Sequence, residues 1–523
     1  MKRHLPIGIQ DFAKLREKGC VYVDKTALVH QLITGSSGVY FLSRPRRFGK
    51  SLLCSTLEAV FNNRKDLFEE IAGCPSLIIN RLEWEWKKYP VIRIDLNVGN
   101  YNKGVDFLNS TFYNIFFNIA QSYNLELRGN FESEMFSNLI IDLYKQFNEK
   151  IVVIIDEYDK PLLDTMLDTS LHINIRNELK GFYSILKPFD KYLQFVFITG
   201  ITKFSHVSLF SDLNNLDDLT LDPSYTDICG ITQEEIETYF EPEIKSILND
   251  SGMERENYLN ELRRFYNGYR FSKKPLKVYN PFGLLKHLKN GDFSSYWYET
   301  GTPSFLINLI TEQKIDIFNL DNMQIDYNDL RKYDIENMRA EPILYQTGYL
   351  TIKDYDDETG QYTLDYPNVE VESCFAKSLL DEYLQKSGET AGKFNTRLIN
   401  AVVKGNIEDI INVLKQFLSS IPYDIIKESE NYYQTAIHLI FTMLGLNCRS
   451  EVRIASGRID TLVETKKFVY CFEFKLNGTA EEALAQIDTK DYLLPWTGSG
   501  KTLFKVGVEF DKGRRNIGQW LVG

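Results

Sequence analysis

What this sequence lacks narrows its class before any motif is read. Its seven cysteines (20, 54, 74, 229, 374, 448 and 471) are scattered, with no C-x-x-C pair and no short Cys/His cluster. Neither a disulfide framework nor a zinc site is expected from that pattern. No apolar run approaches the roughly 20 residues that a membrane-spanning helix needs. The basic start Met1-Lys2-Arg3-His4-Leu5-Pro6 is followed by no apolar segment, which argues against a secretion signal. A cytoplasmic protein without membrane contact is the expectation. An excess of positive charge is missing too. The formal net charge of −12 argues against a general nucleic-acid coat protein and leaves room only for a local basic groove. The remainder is that of a folded chain: 43% hydrophobic and 25% charged residues, with 34 Phe and 31 Tyr to fill aromatic-rich cores. A length of 523 residues exceeds one core and suggests about two to four domains.

The stretch Tyr40-Phe41-Leu42-Ser43-Arg44-Pro45-Arg46-Arg47-Phe48-Gly49-Lys50-Ser51 has the order of a phosphate-binding loop. An apolar strand runs into a short basic loop, then Gly-Lys-Ser, then a helix whose Leu53, Leu57 and Val60 recur at i, i+4 and i+7. Gly49 lets the backbone approach phosphates, Lys50 reaches their β and γ oxygens, and the Ser51 hydroxyl can hold Mg²⁺. Arg46, Arg47, Phe48 and Leu52 complete the candidate nucleotide-binding stretch. One position departs from G-x-x-x-x-G-K-[ST]: Arg44 stands where the first glycine belongs. By position, Arg44, Arg46 and Arg47 all fall near the phosphates.

Downstream, Lys150-Ile151-Val152-Val153-Ile154-Ile155-Asp156-Glu157 reads as a strand buried on both faces of a parallel sheet. Its terminal acids suit two different jobs, Asp156 holding Mg²⁺ and Glu157 polarising the attacking water. A third apolar strand, Gln194 to Ile198, ends in Thr199, a candidate contact to the γ-phosphate or a simple strand cap. Ligands of open α/β sheets gather at strand carboxyl ends, so these residues should converge. The segment before residue 38, with Tyr22-Val23-Asp24-Lys25-Thr26, either covers the base or seals the sheet. From Thr232 the character turns helical, opened by a capping box with Glu235, and Tyr279-Asn280-Pro281-Phe282-Gly283 enters a further helix. Residues 291–400 carry aromatic stretches such as Gln346-Thr347-Gly348-Tyr349-Leu350 without a catalytic signature, and read as a connecting module.

A second constellation lies near the C-terminus. Gly457-Arg458-Ile459-Asp460-Thr461-Leu462-Val463-Glu464 and Phe468-Val469-Tyr470-Cys471-Phe472-Glu473-Phe474-Lys475 flank a Lys466-Lys467 turn. Pairing them as a hairpin sets Asp460 opposite Glu473, roughly 5 Å apart at Cβ, with Lys475 on the same face. Phe472 and Phe474 then supply the opposite, buried face. Two carboxylates so close call for a cation, and hard oxygen donors favour Mg²⁺. Lys475 can orient or help deprotonate a water for attack on a phosphodiester. Gln486, on the helix read over Ala480 to Tyr492, is a further candidate contact. Glu451 is either an additional acid or a rim charge, and a solvated hairpin face is the bland alternative.

Taken together, Tyr22–Thr26, Ser43–Ser51, Ile155–Asp159, Tyr279–Phe282, Gln346–Leu350, Gly457–Asp460 and Glu473–Lys475 resemble a known bacterial family: AAA-ATPase-like proteins with a C-terminal PD-(D/E)xK nuclease domain. In that family the loop typically reads R-P-R-R-F-G-K-S, so Arg44 matches the family's own form. The resemblance implies an α/β fold in three parts. They are a P-loop parallel-sheet domain over 1–230, a helical lid and connecting module over 231–400, and a restriction-endonuclease-like α/β domain over 401–523. It also implies ATP binding by the N-terminal half and a metal-dependent nuclease fold at the C-terminus, without supplying a substrate. ATP and Mg²⁺ are the expected cofactors, and DNA or RNA the expected partner of the C-terminal domain. Gln434 departs from the family, which often has histidine there. The expected function is an ATP-dependent, Mg²⁺-dependent nuclease serving defence against foreign nucleic acid. The alternatives are a nucleotide-dependent switch whose nuclease-like domain only binds nucleic acid or a protein, and an ATPase with a structural C-terminal domain. An arginine from a neighbouring copy leaves homo-oligomerisation open.

Overall fold

The computed structural model describes residues 4–203, 215–297, 339–383, 389–421, 430–454 and 456–523, with 210, 213 and parts of 306–331 between them. The chain divides into two units, Met1–Glu299 with Asp321–Asn368, and Thr300–Leu320 with Val369–Gly523.

The first unit is built on a five-stranded sheet of Val39–Ser43 (β1), Val91–Asp95 (β2), Ile151–Asp156 (β3), Leu193–Gly200 (β4) and Leu216–Asp218 (β5). The strand order is β2-β3-β4-β1-β5, and every pairing is parallel. All residues of β1 and β3 are buried, as unbroken apolar strands covered on both faces should be. Helices Lys50–Phe61, Val105–Ser122, Glu132–Phe147 and Thr169–Ser184 belong to this layer. Because β4 lies between β1 and β3, the ends of the loop strand and the acidic strand flank the end of β4. Residues 43–51, 156–157 and 199–203 therefore share one edge of the sheet, as expected.

Helices Gln233–Tyr239, Glu241–Ser251, Arg255–Tyr266 and Pro281–Asn290 follow. The first has the predicted capping box of Thr232 and Glu235, and the last is capped by Asn280. They share a core that includes Ile236, Phe240, Tyr266 and Leu284, and Val21 of the N-terminal segment joins it. An antiparallel sheet of Met323–Asp326 (β6), Thr351–Asp356 (β7) and Gln361–Asp365 (β8) completes the unit in the order β6-β8-β7.

The second unit carries a sheet of Asn447–Ile454 (β9), Gly457–Glu464 (β10), Phe468–Lys475 (β11), Thr502–Asp511 (β12) and Asn516–Val522 (β13), in the order β13-β12-β11-β10-β9. Only β11 and β12 pair in parallel, and helix Ala480–Thr489 makes the crossover between them. That helix packs directly on β12 because position 507 is glycine: a Cβ there would meet Ala480 O at 2.4 Å. Among the described residues no helix is long and apolar enough to cross a membrane.

Candidate functional site

The loop after β1 is shaped by two left-handed residues, Arg47 at φ +65° and Gly49 at φ +92°. Alternation of this kind turns successive N–H groups into an anion-binding concavity, or nest. Gly49 adopts the conformation freely, whereas Arg47 carries a strain of about 1 kcal/mol. The Arg47 guanidinium lies 3.7 Å over the Phe282 ring, and Arg46 is exposed. Lys50 is 3% exposed. Its Nζ donates to the carbonyls of Arg44 (3.1 Å) and Pro45 (3.3 Å) and lies 3.4 Å from Glu157 Oε1. Glu157 is itself left-handed, at φ +53°.

Arg44 corrects the positional expectation. Its guanidinium points into the protein, donating to the carbonyls of Ser43 (2.9 Å), Thr220 (2.9 Å) and Tyr225 (3.1 Å) and lying 4.3 Å over Phe271. The residue in the motif's glycine position is a structural bolt, and its charge is not offered to phosphate.

Asp156 is fully buried, and neither carboxylate oxygen has a hydrogen-bond partner. Burial, reinforced by the charge of Glu157, raises its carboxyl to about 6, and the Ser51 hydroxyl tempers the rise. Arg93 stands nearby, with Nη2 3.7 Å from Asp156 Oδ2 and Nη1 2.8 Å from Glu58 Oε2. A buried acid with no hydrogen-bond partner, standing beside Ser51, is a donor set suited to Mg²⁺. Arg93 was not foreseen, although a charge inside Val91-Ile92-Arg93-Ile94 was the available signal. Thr199 donates its hydroxyl to Leu42 O at 2.7 Å, fastening β4 to β1. Asp159 anchors the turn after β4 by accepting from Ile201 N, Thr202 N and the Thr202 hydroxyl.

An apolar slot opens beside the loop, lined by Tyr22, Val23, Gly49, Leu52, Ile231 and Pro281, with Phe48 also on its wall. The N-terminal segment thus borders a slot suited to a base. Lys25 ties that segment to the following helices through Glu235 Oε1 at 2.5 Å.

In the second unit the hairpin register is the predicted one. Thr461 pairs with Phe472, and Thr465 N donates to Phe468 O at 2.8 Å. The strand pairing ends at Thr461 and Phe472, and the Asp460 side chain takes over: its Oδ2 accepts the Phe474 N–H at 2.8 Å, which holds the carboxylate beside the Glu473 strand. Glu473 is 1% exposed. Its Oε1 takes the Lys475 ammonium at 3.0 Å, while Oε2 is buried without a partner. Burial and the neighbouring Asp460 raise its carboxyl to about 7, against the pull of Lys475. The Glu473 face is also more enclosed than the hairpin alone suggests. Val469 and Cys471 pack there with Ile487 and Tyr492, while Phe472 and Phe474 stack on the other face.

Gln434, on helix Glu430–Met443, donates to Glu451 Oε1 (3.0 Å) and to Asp460 O (2.8 Å). Glu451, left-handed at φ +57°, also meets Arg458 Nε at 2.5 Å. Gln486 does not reach the carboxylates by a hydrogen bond of its own but donates to the Tyr492 hydroxyl at 3.0 Å. Burial raises the Tyr492 phenol, and the charges of Glu473 and Asp460 add to the rise. Among the described residues no three His, Cys, Asp or Glu side chains converge on one metal position. A cation here would rest on two carboxylates, with water or backbone completing its shell.

A phosphate loop at the carboxyl edge of a parallel sheet, together with paired acids on a separate mixed sheet, defines a P-loop protein joined to a nuclease-like domain. Residues 6–210 match the family described as predicted AAA-ATPase, and residues 428–520 match the PD-(D/E)XK nuclease superfamily. Over 526 residues the chain is 34% identical to an "Uncharacterized protein in vnfD 5'region" of Azotobacter chroococcum mcd 1, across 99% of this chain and 98% of that protein. The chain belongs to the bacterial AAA-ATPase-like family with a C-terminal PD-(D/E)xK nuclease superfamily domain.

Proposed function

We propose that this chain is an ATP-binding ATPase coupled to a Mg²⁺-dependent nuclease acting on DNA or RNA. One observation carries the reading: each unit keeps a deeply buried carboxylate with unpartnered oxygen, Asp156 in the first and Glu473 in the second. Such oxygens are costly to bury uncompensated and favourable beside a cation. Bound Mg²⁺ would supply charge neutralisation and a more acidic water at both places.

In the first unit the slot beside Leu52 takes the base, and the N–H groups around Arg46, Arg47, Phe48 and Gly49 take the phosphates. Lys50 neutralises the β and γ oxygens, Ser51 and Asp156 hold the metal, and Glu157 accepts the proton of the attacking water. Thr199 keeps β4 in register behind the phosphates. In the second unit Asp460 and Glu473 hold the metal, and the Phe474 N–H fixes the Asp460 carboxylate. Lys475 orients the water and steadies the phosphodiester, with Gln486 acting through Tyr492. Charge leaves room for a nucleic-acid partner: residues 430–523 hold 12 Lys and Arg against 11 Asp and Glu, within a chain of net charge −12. A cytoplasmic role in defence against foreign nucleic acid, with copies assembling so that one supplies an arginine to its neighbour, fits this chemistry.

The test is Mg²⁺-dependent cleavage of single- and double-stranded DNA and RNA, with and without ATP, by wild type, Lys50→Ala and Lys475→Ala. No cleavage by the wild type removes the nuclease, and cleavage surviving Lys475→Ala removes the assigned site. Gln434 favours a second reading, a nucleotide-dependent switch that binds nucleic acid without cutting it. An amide there cannot shuttle a proton as a histidine can.

A further inference from the structure

Residues 269–297 and 340–350, outside both matched families, converge on the carbonyl side of the phosphate loop. Arg46 O accepts from Trp297 Nε1 at 3.2 Å and from Asn280 Nδ2 at 3.5 Å. Gly348 closes helix Ala340–Thr347 in the left-handed region, at φ +89°, and a Cβ there would lie 2.7 Å from Pro45 Cβ. Tyr349 meets Trp297 edge-on at 5.3 Å. The Phe48 ring is boxed by Tyr269 at 4.8 Å and Phe271 at 5.3 Å. Lys50 holds the two preceding carbonyls, so those of Arg44, Pro45 and Arg46 are all engaged. A nest binds anions only while its N–H groups face one way, and each peptide plane is fixed as firmly by its carbonyl as by its N–H.

We propose that Trp297, Asn280 and Gly348 are positioning residues of the phosphate site. They set the peptide planes that carry the Arg46 and Arg47 N–H groups, and through them the affinity for the polyphosphate of a nucleotide rather than for its base. This gives the segment read as a connecting module a share in the nucleotide site, and it rests on the loop being the ATP site.

The experiment uses the full chain. Trp297→Phe keeps an aromatic ring against Tyr349 and removes the indole donor. Asn280→Ser keeps a helix N-cap and removes the amide donor. Gly348→Ala adds the clash with Pro45. Each of the first two should raise the dissociation constant for MgATP about fivefold, the effect of one net hydrogen bond. The affinity for adenosine should stay at the wild-type value, and the melting temperature without ligand should fall by no more than about 2–4 °C, the share of one hydrogen bond. Wild-type MgATP affinity in both donor variants overturns the proposal, as does equal weakening of ATP and adenosine, which marks general loosening. A wild type that binds no MgATP overturns the ATP reading itself and this proposal with it.

Discussion

Replacing Glu473 with glutamine should stabilise the second unit above neutral pH in chelator while abolishing its response to Mg²⁺. The carboxyl is 1% exposed, one oxygen lacks a partner, and its ordinary 4.5 is raised to about 7. A carboxyl with a higher value folded than unfolded holds more protons when folded. Stability is therefore lost as pH rises from 4.5 to 7, and the loss is complete above 7. The gap between those values, at 1.36 kcal/mol per pH unit, is roughly 3 kcal/mol. Glutamine does not ionise and escapes that cost. It forfeits the Lys475 pair, whose pull is already contained in the raised value. The gain of about 3 kcal/mol corresponds to roughly hundredfold slower local opening. Hydrogen exchange of the full chain, read by mass spectrometry on peptides spanning Phe468–Lys475 and corrected for intrinsic rates, measures it directly. At pH 8 in chelator the variant should exchange more slowly than wild type, and near pH 5 the two should nearly coincide. Mg²⁺ should protect the wild type alone. Equal or faster exchange of the variant at pH 8, or Mg²⁺ protection of both, refutes the reasoning.

Restoring the motif glycine by Arg44→Gly should destabilise the first unit by roughly 3 kcal/mol or more, because three buried carbonyls lose a charged donor. An unchanged thermal transition would contradict this. Asp156, raised to about 6 by burial, should lose its hold on Mg²⁺ as pH falls below 6. The Mg²⁺ concentration needed for nucleotide binding should then rise about tenfold for each further pH unit, measurable by titration at pH 5 and 8. Gln434→Ala should free Glu451 and the Asp460 carbonyl and lower any Mg²⁺-dependent cleavage about tenfold. Cleavage at the wild-type rate would assign Gln434 a packing role only.

Legibility in the sequence followed the range of the interactions. The register that carries Asp460 to the Glu473 strand could be derived because a tight turn at Lys466-Lys467 fixes the hairpin, and a register error would have moved every side chain to the other face. Strands β1 to β4 and the Thr232–Glu235 cap likewise declare themselves over a few residues. Arg44 could not be read, since its partners Thr220 and Tyr225 lie some 180 positions away and are carbonyls, which any residue supplies. The same holds for Trp297, Asn280 and Gly348, whose partner is a backbone loop. The sequence puts Thr199 at the end of β4, but only the fold shows its hydroxyl committed to Leu42. Strand β5, three residues long, is too short to carry a period.

The 3.4 Å pairing of Lys50 with Glu157 has a consequence for timing. A triphosphate at the loop would compete with Glu157 for the same ammonium. Winning that competition would take the ammonium from the carboxylate and leave its oxygens open to the attacking water. Arrival of substrate and arming of the base would then be one event, with the lysine as its escapement. The ion pair would also set a threshold, since every nucleotide must displace it before it is held.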